Sequence, residues 1–391
     1  MKNNWSVKSS LIPPPSSLVS VALIICGLFG CASVCAAQAS LPSAVNVRLV
    51  TDEADAVLAI LAKKKTNQAI TEADWQRVFQ SEGYVRLKKR ESSMNRSFED
   101  ADFKTFVLSD KVVEQAKALD ETLARWSKAD ISHAARLALA YLPKQARISA
   151  KIYPVIKPRD NSFVFEPKSD PAIFLYLDTT ESKEKFENTV AHELHHIGYS
   201  STCPSKQISE EIAKLPTPRQ SVVQMIGAFG EGFAMLAAAG GPNVHPHAVS
   251  NMDERARWDK DMANFNEDLK KVEAFFIDVL DNRLTEDQID KTASSFFGIQ
   301  GPWYTVGWEM SVLIEKTYGR RTLIECICDP RKLLTTYNRA ARRHNRNSRE
   351  QLALWSASVI QATEKAMMHD KRWMVLSFNS SHNSRETFTL T

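Results

Sequence analysis

From Thr51 to Leu142 the chain repeats apolar residues at three- and four-residue spacing, in "DEADAVLAILAKK", "TEADWQRVFQSEGYVRLKKRE" and "KVVEQAKALDETLARWSKA". That period predicts amphipathic helices, each with one buried stripe. The period then changes. "ARISAKIYPVI", "SFVFEP" and "PAIFLYLD" are rich in β-branched and aromatic residues and are punctuated by Pro158, Pro167 and Pro171, which predicts three short strands. Helical spacing returns at Ser182 and continues almost to the C-terminus, through "SVVQMIGAFGEGFAMLAAA", "DLKKVEAFFIDVLDN" and "PWYTVGWEMSVLIEKTYG". Helices, a small sheet and more helices make a mostly helical α+β layout with no internal repeat. The divisions expected along it are 1–39, a helical region over 40–145, a main domain over 146–345, and a C-terminal helix and tail over 346–391.

The first 39 residues stand apart from this pattern. Lys2 and Lys8 precede an apolar run from Leu18 to Cys35 that closes with "AAQAS". A basic start, an apolar centre and small residues at the cut describe a secretory leader, with cleavage expected after Ala39 because Ala37 and Ala39 supply the small side chains. A second possibility is a lipid anchor on Cys31 within "LFGC", a pattern that Phe29 suits poorly. The chain is therefore expected to be exported, periplasmic or extracellular, as a soluble protein or as a lipoprotein. No later segment has the roughly 20 uninterrupted apolar residues of a membrane span.

The net charge of the whole chain is +4, and the leader removes two lysines and no acids, leaving +2. Such balance argues neither for nucleic acid nor for an acidic partner, and no nucleic acid is expected. Of six cysteines, Cys203, Cys326 and Cys328 lie beyond the leader. An exported chain can close one disulfide, most simply between Cys203 and one of the other two; the alternative is three unpaired core residues.

The chemistry centres on "NTVAHELHHIGYS". On a helix Phe186, Val190, Leu194 and Ile197 share an arc of about 80°, a buried stripe, while His192 and His196 stand about 40° apart and His195 points away from them. Two imidazoles at i and i+4 can present nitrogens to one tetrahedral Zn²⁺, and Glu193, next to the first histidine without being a ligand, is placed to take a proton from an attacking water. A catalytic zinc needs a third protein ligand. An extended motif with glycine and histidine further along the helix fails, because Tyr199 and Thr202 occupy those places. Histidines aside, Glu231 is the one charged residue between Arg219 and Asp253, within the apolar run "SVVQMIGAFGEGFAML". An unpaired carboxylate there costs several kcal/mol to bury, so Glu231 is expected to be the third ligand. Gly227, Gly230 and Gly232 are expected to let its helix approach the His192 helix. Glu210, Glu211, His245 and His247 compete for the role, but lie in polar or proline-broken surroundings expected to be exposed loops.

These residues resemble the gluzincin class of zinc peptidases, in which H-E-x-x-H is completed by a glutamate on a later helix. More closely, "NTVAHELHHIGY", "GEGFAML", "GPWYTVGWEM" and "WQRVFQSEGYVRLKKRE" are similar to a bacterial family of zinc-dependent peptidases with little characterised biochemistry, over roughly residues 50 to 345. The resemblance implies a zincin-like catalytic domain over 146–345, with a small mixed sheet before the active-site helix, Zn²⁺ as cofactor, and a peptide or protein as substrate.

"GPWYTVGWEM" opens a helix with Pro302 in its first turn. Tyr304 there is placed to donate a hydrogen bond to an oxyanion, or else simply packs beside Trp303 and Trp308. Cys326 and Cys328 have no nearby histidine or cysteine to complete a metal site and are expected to be structural. The strand "AIFLYLD" is expected to lie at a sheet edge and align an extended peptide. The function expected is an exported zinc-dependent peptidase; the alternatives are a zinc hydrolase of a small amide or ester, and a non-catalytic secreted protein on a zincin fold.

Overall fold

The computed structural model describes residues 44–364. The expected leader, its cleavage site and Cys31 lie outside the described residues. The four-stranded sheet contains β1 (Val45–Leu49), β2 (Ile148–Val155), β3 (Phe163–Phe165) and β4 (Ala172–Tyr176), in the order β1-β2-β4-β3. β2 is parallel to both β1 and β4, and β3 runs antiparallel to β4. The three strands expected between Ala146 and Asp178 all form, and β1 is an addition. Pro154 is tolerated within β2 because its nitrogen faces the side where β1 has already ended, so no ladder bond is lost. The expectation of an edge position for "AIFLYLD" is corrected: β4 is paired on both sides, by β2 and by β3. Its backbone is already satisfied and leaves no row of donors and acceptors for a peptide.

Six helices lie between β1 and β2: α1 (Asp52–Lys65), α2 (Glu72–Phe79), α3 (Glu82–Ser93), α4 (Asp100–Val107), α5 (Asp110–Trp126) and α6 (Ile131–Leu139). After β4 comes α7 (Lys183–Thr202). These helices form one core with the sheet: Val57 and Ile60 of α1, Leu123 and Trp126 of α5, Ile152, Ile173, and the expected α7 stripe of Phe186, Val190, Leu194 and Ile197 all belong to it. Trp126 stacks on Phe186 with ring centroids 4.4 Å apart. The core runs straight across residue 145, so α1 to α6 are part of what holds α7 in place.

The remaining helices are α8 (Lys206–Ile212), α9 (Thr217–Ile226), α10 (Gly230–Ala239), α11 (Met252–Met262), α12 (Phe265–Leu280), α13 (Glu286–Ser295), α14 (Pro302–Tyr318), α15 (Arg320–Cys328), α16 (Leu333–Asn347) and α17 (Ala357–Thr363). They enclose a second core in which Phe229 meets Trp303 and Trp355 edge to face and Phe276 stacks on Trp355. α10 belongs to both: Phe233 and Leu236 enter the second core, Ala238 the first. The stretch Thr217–Ala239 has the length and hydropathy of a membrane span, but 67% of its most apolar window is buried inside the protein.

Cys203, the residue that ends α7, is bonded to Cys328 at the end of α15, and Cys326 is buried and free. This is one of the two pairings the sequence allowed. The bond ties α7 to α15 and so to the second core across 125 residues. Closing so long a loop removes much freedom from the unfolded chain, so the Cys203→Ser/Cys328→Ser double variant is expected to lose about 2–4 kcal/mol. Denaturant titration of both proteins measures it; an unchanged midpoint would mean that the tie contributes nothing.

Candidate metal centre

The site lies where the two cores meet. Ser182 starts α7, its Oγ accepting a hydrogen bond from the Lys185 N–H at 3.1 Å, and the buried stripe fixes the rotation of the helix so that His192 and His196 face α10. Glu231 stands in the first turn of α10, 7% exposed. The glycine expectation is corrected in part. A Cβ on Gly227 or Gly230 would meet nothing within 4 Å, whereas one on Gly232 would lie 2.0 Å from the Trp308 nitrogen and 2.3 Å from the Gly307 carbon. The close approach that a glycine permits is therefore between α10 and α14; α7 packs on α10 without one. Gly307 is its counterpart, since a Cβ there would lie 2.5 Å from the Phe229 oxygen.

Three donor atoms converge. His192 Nε2 is 3.2 Å from Glu231 Oε2, His196 Nε2 is 3.3 Å from the same oxygen, and the two Nε2 atoms are 3.0 Å apart. Ligands about 2.0–2.1 Å from a tetrahedral Zn²⁺ stand about 3.3 Å from one another, which these separations match. Two imidazoles and one carboxylate, leaving a position free, are also the donor set of a catalytic zinc. The residues present fit the ion. The His192 and His196 side chains keep 16% and 26% of their surface exposed, against 9% for Glu231, so the site opens on the histidine side.

The electrostatics agree with a cluster built around positive charge. Burial works against ionisation of Glu231, but the charges of His196 and His192 hold its carboxyl well below the usual range. Burial likewise works against a charged His196, and the Glu231 carboxylate overcomes it, raising the imidazole to about 9. Glu193 lies about 60° round the helix from His196, towards the apolar stripe. It is buried and takes no part in the donor cluster. Burial raises its pKa, with Glu231 adding repulsion and the two histidines opposing. Tyr304, 8% exposed in the first turn of α14, stacks over His192 at 6.5 Å, and burial together with the adjacent Glu231 carboxylate holds its hydroxyl protonated.

The competing residues fall elsewhere. His195 is buried on another face of α7, where burial lowers its pKa to about 3 and keeps it neutral. Glu211 pairs with Arg331 at 2.9 Å, and Glu210 lies near Lys206. His245 contacts Asp259 at 2.8 Å. His247, expected in an exposed loop, is instead 2% exposed, hydrogen-bonded to Ser250 and packed on Trp258 at 5.4 Å. Among the described residues His192, His196 and Glu231 form the one group arranged to hold a metal.

A family model described as "Putative zinc dependent peptidase" matches residues 49–346. The chain belongs to that family. The match covers all three donor residues and most of both cores. No curated protein and no solved structure matches the chain.

Proposed function

We propose that the protein is an exported zinc-dependent peptidase of gluzincin type, with His192, His196 and Glu231 holding the ion and Glu193 acting as general base and acid. The observation that carries this reading is the convergence of three donor atoms within 3.3 Å of one another, with a second buried acid, Glu193, beside them that is not a donor. When bound, zinc supplies Lewis acidity, making a water a stronger nucleophile and polarising a carbonyl. The protein supplies the proton handling. Glu193 takes a proton from the attacking water and passes it to the leaving amide nitrogen; its burial favours the protonated form it must hold between the two transfers. Tyr304 Oη remains a hydrogen-bond donor throughout and stabilises the carbonyl oxygen as it gains negative charge. A peptide or protein is the substrate class. The leader-like residues 1–39 and the Cys203–Cys328 bond both support an oxidising, exported location, free or anchored through Cys31.

The test is metal removal. Purified protein is expected to carry about one zinc per chain and to cleave members of a mixed peptide library, losing activity with a chelator and regaining it with added zinc. His192→Ala and Glu231→Gln are each expected to weaken zinc affinity about tenfold or more, read by competition with a zinc-sensitive dye. Full zinc occupancy in both variants, or activity untouched by the chelator, would overturn the assignment.

A further inference from the structure

α16 presents a face that the peptidase reading does not use. Arg339, Arg342, Arg343 and Arg346 are all exposed, and at 100° per residue they occupy one arc of about 100° over about 10 Å of helix. The opposite face, with Leu334, Tyr337, Ala340 and Ala341, is buried in the second core. No acid occurs in the sequence between Pro330 and Arg349. The acids that precede it are already engaged, Glu325 by Arg321 and Asp329 by Arg331. Among the described residues none of the four arginines pairs with an acid; the hydrogen bond formed within the group runs from Arg339 to Thr336. Beyond Glu364 the sequence holds four lysines and arginines against two acids, so it brings no net negative charge to this face.

Like charges at i, i+3 and i+4 repel along a helix, and among the described residues no acid pairs with any of the four; the buried Glu309 lies towards Lys316 and His344 instead. The four guanidiniums are thus free to meet an external anion. Arg343 also lines, with Lys316, Thr317, Asn347 and Ser348, an open cleft of about 500 Å³ whose donors suit a phosphate oxygen. Lys316 lies about 18 Å along α14 from Tyr304, so the face is clear of the metal centre. We propose that the arginine face of α16 docks the protein on an anionic phospholipid surface, with lipid phosphates as its partners. A helix face carrying four guanidiniums in one shallow array matches the many phosphates of a bilayer surface, and each such charge adds measurably to membrane attraction.

The test uses the full chain and its Arg339→Gln/Arg342→Gln/Arg343→Gln/Arg346→Gln variant, sedimented with vesicles of phosphatidylcholine alone or with phosphatidylglycerol added. The variant is expected to lose two to three orders of magnitude, roughly, of its partitioning to the anionic vesicles at low salt, and to match wild type on the neutral ones. Wild-type binding should fall as salt is raised. The corresponding Arg→Lys variant, which keeps the charge, should retain most of the binding. Because the substitutions remove repulsion from a solvent face, the thermal midpoint and zinc content should stay at or above wild type, which separates this result from misfolding and from any failure of the peptidase reading. Equal binding of wild type and the Gln variant to anionic vesicles would overturn the proposal. So would wild-type protein that ignores those vesicles while binding another polyanion such as heparin.

Discussion

Glu193→Gln is expected to keep its zinc and to lose about 10²–10⁴-fold in kcat/KM, the usual contribution of a positioned general acid and base. The two halves of that result come from different features. Zinc is retained because the donor cluster consists of His192, His196 and Glu231 and does not include residue 193. Turnover is lost because an amide of the same size fills the same buried place without accepting the proton of the attacking water. Elemental analysis and initial rates on the same preparations check the pair of outcomes. A Gln variant that turns over at the wild-type rate would remove Glu193 from the mechanism; one that loses its zinc would place it among the ligands.

What could be read from the chain depended on whether the information was local. His192 and His196 were legible because i and i+4 on a helix is a geometric statement, and the stripe from Phe186 to Ile197 then fixed which way they faced. Glu231 was legible for an energetic reason: an acid alone in an apolar run must have a partner, and the structure supplies two histidines. β1 was missed although Val45, Val47 and Leu49 alternate with Asn46 and Arg48 over five residues, a strand signal that lies directly after the leader. The interior place of β4 depends on pairing with β2 and β3, which no spacing within "AIFLYLD" can encode. His247 looked like a loop residue, and within its own segment it is one; Trp258, on a helix further along the chain, is what buries it. The partner of Gly232 was hidden for the same reason, since a glycine announces that something approaches without saying what.

That last contact carries the largest expected change in stability. Gly232→Ala is expected to cost about 4 kcal/mol or more, beyond the usual range for overpacking, because the new methyl would meet backbone rather than a side chain that can turn aside. The atoms it would strike, 2.0 Å and 2.3 Å away, belong to Trp308 and Gly307 in the middle of α14, and moving them means moving a helix. α14 is anchored by Trp303 and Val306, both fully buried, so the shift must pass to α10 as well. Glu231 precedes Gly232 directly, and Tyr304 lies one turn from Trp308, so the displacement reaches a ligand and the candidate oxyanion donor together. Zinc affinity should therefore fall along with the thermal midpoint, although no ligand has been changed. Gly230→Ala supplies the control: it lies at the start of the same helix with nothing within 4 Å of its Cβ position, and should be neutral or stabilising by about 0.4–1 kcal/mol through reduced freedom of the unfolded chain. Thermal melts and zinc titrations of the two variants decide it. If Gly232→Ala melts with wild type and binds zinc as tightly, α10 and α14 are not pressed together here, and the close helix contact is not what sets Glu231 and Tyr304 side by side.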